Sequence, residues 1–461
     1  MQKYSFTRRD FINGGFSMLA VPTIISSGCA NAKNAKRPLP SERINLGFIG
    51  YGTMAHDNIG NFLNNDNVQV VAVADPVSEC GGYGYKAERQ GGRLPCVRRV
   101  NEFYTKKEGV TEWRGCDAYS DFREMLERKD LDAVVISTPD HWHAIQAIAA
   151  ARKGLHIYGQ KPMSLCIAEG QAMVREVARN GVTFQVGSQQ RSDNYFRMAC
   201  EYVRNGRIGK IQRIEVGLPG DYKVFGKSGD AISKTPRPQP PDYVDFDMWL
   251  GPARERPFIP AIHNPLVWRN NLDYSGGMIT DWGAHHFDIV QWALGRDKSG
   301  PMLVENLKSD MPDADEIFNT AANYSFEYVY DDGVRVFVSN KFPNGIRFVG
   351  EGGREIFVRR GKLEMKPQEL LREKITENEI NLYRSGQHER NFIECICNGE
   401  QTITTCEIGH RSITIAHLAN IALRLRRPWV KWDPVKEQFI DDNEANKLKN
   451  APIRSSPVIK C

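Results

Sequence analysis

None of the ten cysteines stands in a Cys-x-x-Cys pair. That removes the zinc-ribbon and thioredoxin-like readings that such spacing supports. Cys395 and Cys397 are two apart in a helix-like segment, where such positions face away from each other, so they form a poor metal or disulfide site. A disulfide among Cys80, Cys96 and Cys116 stays open, because pairing is not legible in sequence. The leading apolar stretch, Phe16 to Ile25, is too short to cross a bilayer as a stable helix. There is no internal repeat and no low-complexity segment. Strong charge is also missing: the formal net charge is +5 over 461 residues, and Lys3, Arg8, Arg9 and Asp10 account for two of those charges. So small an excess does not argue for a nucleic-acid partner. What remains is ordinary globular composition, 41% hydrophobic and 25% charged, in a chain long enough for two domains.

Thr7-Arg8-Arg9-Asp10-Phe11-Ile12 precedes the short apolar stretch, in the pattern of a twin-arginine export signal. Residues 1–32 are therefore expected to be a signal outside the fold, and residues 33–43, with Pro38 and Pro40, a linker. Two endings compete. Ala30-Asn31-Ala32 fits a signal peptidase site, while Ser26-Ser27-Gly28-Cys29 looks like a lipoprotein box that would place a lipid on Cys29. The expected location is periplasmic, reached by a route that carries proteins already folded.

From residue 44 onward apolar runs alternate with helical patterns. Ile44–Ile49, Val68–Ala74, 132–137 and 155–158 read as strands of a buried parallel sheet. Thr53–Leu63 and 141–153 read as helices packed on it. Such alternation argues for a doubly wound domain over residues 44–163. Residues 164–440 read as a second, α+β domain on a large open, mostly antiparallel sheet, and residues 441–461 as a tail. Residues 80–95 lack an apolar period and read as an inserted loop, either a solvated excursion or a lid.

Gly50-Tyr51-Gly52-Thr53-Met54-Ala55 follows a strand and opens a helix, the context a dinucleotide-binding loop needs. Gly50 permits the tight turn, Gly52 a close backbone approach to pyrophosphate, and Ala55 close helix–strand packing. The helix N-terminus at Thr53 and Met54 offers N–H groups to phosphate. Asp75 ends the second strand, where a carboxylate holds the adenosine ribose hydroxyls and repels a 2′-phosphate, favouring NAD over NADP. His141-x-His143 opens a helix with no third ligand near, so no metal is expected.

Three further segments carry a resemblance. They are Ser137-Thr138-Pro139-Asp140-His141-Trp142-His143, Gly159-Gln160-Lys161-Pro162-Met163, and Gly276-Gly277 through Asp281-Trp282-Gly283-Ala284-His285. With the glycine loop, they make the chain resemble the glucose–fructose oxidoreductase / inositol dehydrogenase family over roughly residues 44–425. The resemblance implies that Thr138, Pro139 and His143 line the nicotinamide side. It matches Lys161 to the lysine of the family's Glu-Lys-Pro motif, with neutral Gln160 in place of the glutamate. It places Asp281 and His285 opposite Lys161, and it implies a homo-oligomer.

Asp281 and His285 are four apart and on a helix share one face, as a base and its orienting carboxylate would. Arg191, Tyr195, Trp268 and Arg269 are candidate sugar contacts, since aromatic faces and guanidinium forks suit polyols. The expectation is an NAD-dependent oxidoreductase acting on a sugar or glycoside hydroxyl, glycoside C3 included. Lys161, Asp281 and His285 are its catalytic residues. NAD is loaded before export and held tightly, and a second sugar or a redox protein accepts the hydride. The alternatives are a redox-neutral, NAD-dependent glycosidase and a non-catalytic sugar- or NAD-binding protein.

Overall fold

The computed structural model describes residues 39, 42–220, 237–260, 267–313 and 316–454. The export signal, Cys29 and most of the expected linker lie outside the described residues.

The first eight strands are β1 (Ile44–Ile49), β2 (Val68–Ala74), β3 (Cys80–Tyr83), β4 (Arg89–Gly91), β5 (Asp117–Tyr119), β6 (Ala133–Ile136), β7 (His156–Gly159) and β8 (Phe184–Val186). Six of them form a parallel sheet in the order β5-β2-β1-β6-β7-β8. Its central strands are almost wholly buried, which is why they read as continuous apolar runs. The strand order reverses between β1 and β6, so Gly50 and Ser137 leave the sheet side by side at its carboxyl edge, where such sheets bind ligands.

The expected boundary at residue 163 falls short of this sheet. Ile157, Tyr158 and Gly159 pair in parallel with Phe184, Gln185 and Val186, so β8 belongs to the first domain. The intervening helix, Ile167–Asn180, packs against the helix Asp140–Arg152 as one more crossover.

The second sheet contains β9 (Arg213–Gly217), β10 (Leu303–Ser309), β11 (Tyr324–Val329), β12 (Arg335–Ser339), β13 (Gly345–Val349), β14 (Glu355–Arg359), β15 (Lys362–Lys366), β16 (Trp429–Asp433) and β17 (Gln438–Phe439). Their order is β15-β14-β13-β9-β12-β11-β10-β16-β17, and only β9 and β12 pair in parallel. Three helices, Asn194–Arg204, Gly283–Leu294 and Cys406–Arg424, pack on this sheet and on one another. Phe287, Phe326 and Tyr328 meet edge to face in the core between them.

The chain then returns to the first domain. Phe392, Ile393 and Ile396 of the helix His388–Asn398 join the core cluster that holds Phe62 and Tyr158. The expected tail from residue 441 is docked through its described part. It carries the helical turn Asn443–Lys447, Ala168 N–H donates to the Lys449 carbonyl at 3.0 Å, and Arg454 bonds the carbonyls of Gly251 and Asp247.

The expected inserted loop is not irregular. β3 and β4 pair as a hairpin, and a 16-residue helix, Arg93–Glu108, follows. That helix buries a narrow stripe, Cys96, Val100 and Tyr104, among basic and polar residues, and it ends on Gly109 at φ +65. Cys80, Cys96 and Cys116 are all free.

Candidate active site

The glycine loop is shaped by contacts that exclude side chains. Gly50 has φ +85, and a Cβ there would lie 2.9 Å from Thr138 Cγ2 and 3.0 Å from the Ser137 carbonyl. The next helix, Thr53–Leu63, starts on Gly52 without a side-chain cap, leaving its first N–H groups for an anion. Asp75 accepts hydrogen bonds from Tyr51 N–H at 2.7 Å and Val77 N–H at 2.8 Å. Burial pushes its carboxyl up to about 6 against those bonds. Loop, helix start and Asp75 line one cleft together with Thr138, Pro139, Gln160 and Lys161. This arrangement fits a dinucleotide.

His143 is not part of that lining. Its Nδ1 sits 2.7 Å from the Pro162 carbonyl and its Nε2 2.9 Å from the Thr138 carbonyl, so both ring nitrogens face backbone and the single N–H of the neutral ring donates to one of the two carbonyls. It ties the Thr138-Pro139 turn to the Lys161-Pro162 turn instead of facing nicotinamide. Gln160 donates through Nε2 to Asn58 Oδ1 at 2.6 Å, and Asn58 donates to Glu389 Oε1 at 2.6 Å. Gln160 Oε1 is buried with no partner.

Lys161 is the junction of the site. Its Nζ donates to Asp281 Oδ1 at 2.7 Å and to the Asp281 carbonyl at 3.0 Å. Arg269 Nε donates to the same Oδ1 at 3.1 Å, and its guanidinium stacks on the Trp268 ring at 4.3 Å. Burial alone would raise the Asp281 carboxyl, but the charges of Lys161 and Arg269 outweigh it and hold it well below the carboxylate range. Burial lowers the Lys161 ammonium, against the pull of Asp281. It also lowers the His285 imidazole well below the usual value, helped by Lys161 and Arg360. His285 is therefore neutral at physiological pH, and its Nδ1 has no partner.

The helix expected to carry Asp281 and His285 is broken at Trp282 into Gly277–Asp281 and Gly283–Leu294. Both residues still line one larger cleft, about 800 Å³, with Trp282, Arg360 and Glu389 on its walls. Thr53, Met54, Lys161 and Arg269 line both this cleft and the glycine-loop cleft.

Two of the four candidate sugar contacts lie elsewhere. Arg191 is 1% exposed and grips Asp288 with two 2.8 Å bonds and Asp297 with bonds of 3.1 and 2.7 Å, so it is an internal tie. Tyr195 is 43% exposed in the first turn of its helix and lines neither cleft. Trp268 lines the glycine-loop cleft, and Arg269 reaches both.

Sequence reasoning passed over Asp140, Ser275, Asn58, Glu389 and Arg360. Asp140 lines the glycine-loop cleft, accepts a 2.6 Å bond from Ser275 Oγ, and is pushed up to about 7 by burial. It stood in the Thr-Pro-Asp-His segment, where its place at the cleft was the readable signal. Arg360, in the turn between β14 and β15, stacks on Trp282 at 4.8 Å and had no sequence signal.

Two family models match the chain. An oxidoreductase-family NAD-binding Rossmann fold covers residues 90–188, and an oxidoreductase-family C-terminal alpha/beta domain covers residues 203–459. The scyllo-inositol 2-dehydrogenase (NAD(+)) of Bacillus subtilis is 26% identical over 334 residues, 68% of this chain and 82% of that enzyme. The levoglucosan dehydrogenase of Pseudarthrobacter phenanthrenivorans is 36% identical over 177 residues, 38% of this chain and 36% of that enzyme. The chain spans less than half the length of several curated relatives that it matches. Among solved structures, the WlbA dehydrogenase of Bordetella pertussis, in complex with NADH and UDP-GlcNAcA, superposes with a TM-score of 0.55 at 17% identity, covering 83% of this chain and 97% of that one. At that identity the likeness speaks for the fold alone. With the second family model spanning more than half of its residues, the chain belongs to the glucose–fructose oxidoreductase / inositol dehydrogenase (Gfo/Idh/MocA) family of oxidoreductases.

Proposed function

We propose that the protein oxidises a secondary hydroxyl of a sugar or glycoside, glycoside C3 among the candidate positions, with NAD as the resident cofactor. One observation carries this reading: Lys161 and Arg269 line both clefts, so substrate and dinucleotide would meet at Lys161. The inositol and levoglucosan dehydrogenases among the relatives support a polyol or sugar substrate.

The glycine loop, the helix start at Thr53 and Asp75 would hold the dinucleotide, and the unpartnered Gln160 Oε1 offers an acceptor to a ribose hydroxyl. The carboxylate of Asp75 supports NAD over NADP, since it repels a 2′-phosphate. When bound, the cofactor supplies the hydride acceptor. The protein's own part is proton and charge management. His285, neutral at physiological pH, takes the proton of the substrate hydroxyl on a ring nitrogen. Lys161 Nζ donates to the oxygen as it becomes a carbonyl. Asp281, held ionised, fixes Lys161 in that position.

The test is a panel of glycosides, free sugars and inositols incubated with purified protein and NAD. A keto-sugar should form together with a rise in the absorbance of reduced cofactor. Lys161→Ala and His285→Ala should each lose roughly 100-fold or more of that rate, the usual scale of a lost acid–base group, while still binding NADH. Free aglycone without a keto product would move the reading to the redox-neutral glycosidase. No product across the panel, with NADH still bound, would favour a binding protein.

A further inference from the structure

The glycine-loop cleft has an outer wall that the proposed chemistry leaves without a task, the β3–β4 hairpin. It lies across the loop rather than beside it. A Cβ on Gly52 would meet Tyr83 Cε1 at 3.2 Å, so the ring stands directly in front of that glycine. The other edge of the ring rests on Gly91, where a Cβ would come within 2.5 Å. Two glycines, one on the loop and one on the hairpin, therefore make the seat of one tyrosine. Tyr83 lines the cleft together with Asp75. The hairpin is tethered along the helix Thr53–Leu63. Gly84 N–H donates to Thr53 Oγ1 at 3.1 Å, Arg89 Nη1 pairs with Asp57 at 2.7 Å, and His56 Nε2 meets the Gln90 carbonyl at 2.6 Å.

The cleft behind this wall encloses about 90 Å³. Pockets that hold small-molecule ligands measure roughly 300–1,000 Å³. A dinucleotide seated on the glycine loop would therefore press a wall outward as well as reach into the adjoining cleft that shares Thr53 and Met54. The walls made by β1, β2 and β6 are core strands, buried on both faces. The hairpin differs: its two fully buried residues are the glycines Gly84 and Gly91, so it buries no side chain completely. Its tethers are polar, and Gly82, Gly84 and Gly92 hold φ values of +91, +88 and +100 along and beyond it. Opening it therefore breaks fewer apolar contacts than moving one of those core strands.

We propose that Tyr83 is a cofactor-binding residue that closes over the phosphate and ribose half of the dinucleotide, and that opening of its hairpin sets how fast the dinucleotide leaves. This rests on the reading that the cleft holds NAD. It assigns a chemical role to the aromatic, glycine-rich segment Cys80–Tyr85.

The experiment follows release, not turnover. Protein loaded with NADH is mixed with excess NAD, and the loss of energy transfer from protein tryptophan to NADH gives the release rate. Tyr83→Ala should speed release roughly tenfold, the scale of one lost aromatic contact, and Tyr83→Phe should stay near wild type. In wild-type protein, hydrogen exchange at Gly84 and its neighbours should slow when NADH binds. An unchanged release rate in Tyr83→Ala would overturn the contact, and hairpin amides that exchange equally with and without NADH would overturn the gate. Wild-type protein that gives no NADH signal to chase would instead overturn the nucleotide reading on which both depend.

Discussion

Asp140 carries a cost that depends on pH. Its carboxyl is buried, and its value rises from 3.8 to about 7, chiefly by desolvation, with Arg269 and Ser275 pulling the other way. A carboxyl whose native value lies above its unfolded one binds its proton more tightly when folded. Its ionisation therefore works against the fold as pH rises from about 4 to about 7. Asp140→Asn keeps an acceptor for Ser275 Oγ and removes that ionisation. The variant should melt several degrees above wild type at pH 8, and the difference should shrink to nothing near pH 4. A difference independent of pH, measured by thermal melts of cofactor-free protein, would show that Asp140 does not titrate in this range. Asp281 and His285 were legible as a pair because their spacing of four has a chemical use, and Lys161 through the motif that carries the family resemblance. The sequence did not make Arg191 legible, because an arginine fork looks the same whether its carboxylates belong to a substrate or to the protein's own Asp288 and Asp297.

That misreading turns into a statement about how elements are joined. Arg191 lies in the short 3-10 turn Gln189–Ser192, Asp288 in the helix Gly283–Leu294 behind His285, and Ser412 of the helix Cys406–Arg424 donates to the same Asp288 at 2.9 Å. One buried guanidinium thus ties the turn that follows β8 to the His285 helix. Removing one partner of such a buried pair leaves the other charge uncompensated and costs about 3–5 kcal/mol. Arg191→Ala should therefore lower the unfolding free energy, measured by denaturant titration, by that amount, with NADH affinity unchanged in the protein that remains folded. A loss of substrate affinity at unchanged stability would restore it as a sugar contact. The elements that sequence reasoning found were those with strong apolar runs, such as β1, β2 and β14. Those it missed bury thin stripes. The helix Arg93–Glu108 has four buried residues, and β15 alternates charged and apolar residues at the edge of its sheet. Over so few residues such patterns are too weak to stand out, and tertiary contacts hold these elements in place.

At the scale of the molecule, export and cofactor loading are one question. Arg8 and Arg9 precede the short apolar stretch, and the family's Rossmann domain needs a nicotinamide made inside the cell. We propose twin-arginine export of the loaded protein. Replacing both arginines by lysine should leave it in the cytoplasm, as fractionation would show, whereas normal export would remove the proposal. The return of the chain to its first domain adds an order of events. When a ribosome has finished β8, every strand of the nucleotide-binding sheet has been made. The polar chain from Gln160 through Asn58 still ends on nothing, because Glu389 lies 331 residues after Asn58. Phe392, Ile393 and Ile396, which seal the core around Phe62 and Tyr158, are equally late. The domain made first is thus finished by residues of the helix His388–Asn398, made about 200 residues after β8. The nucleotide-binding domain of a nascent chain therefore stays open at one seam until the helix His388–Asn398 emerges, however early its own sheet is complete.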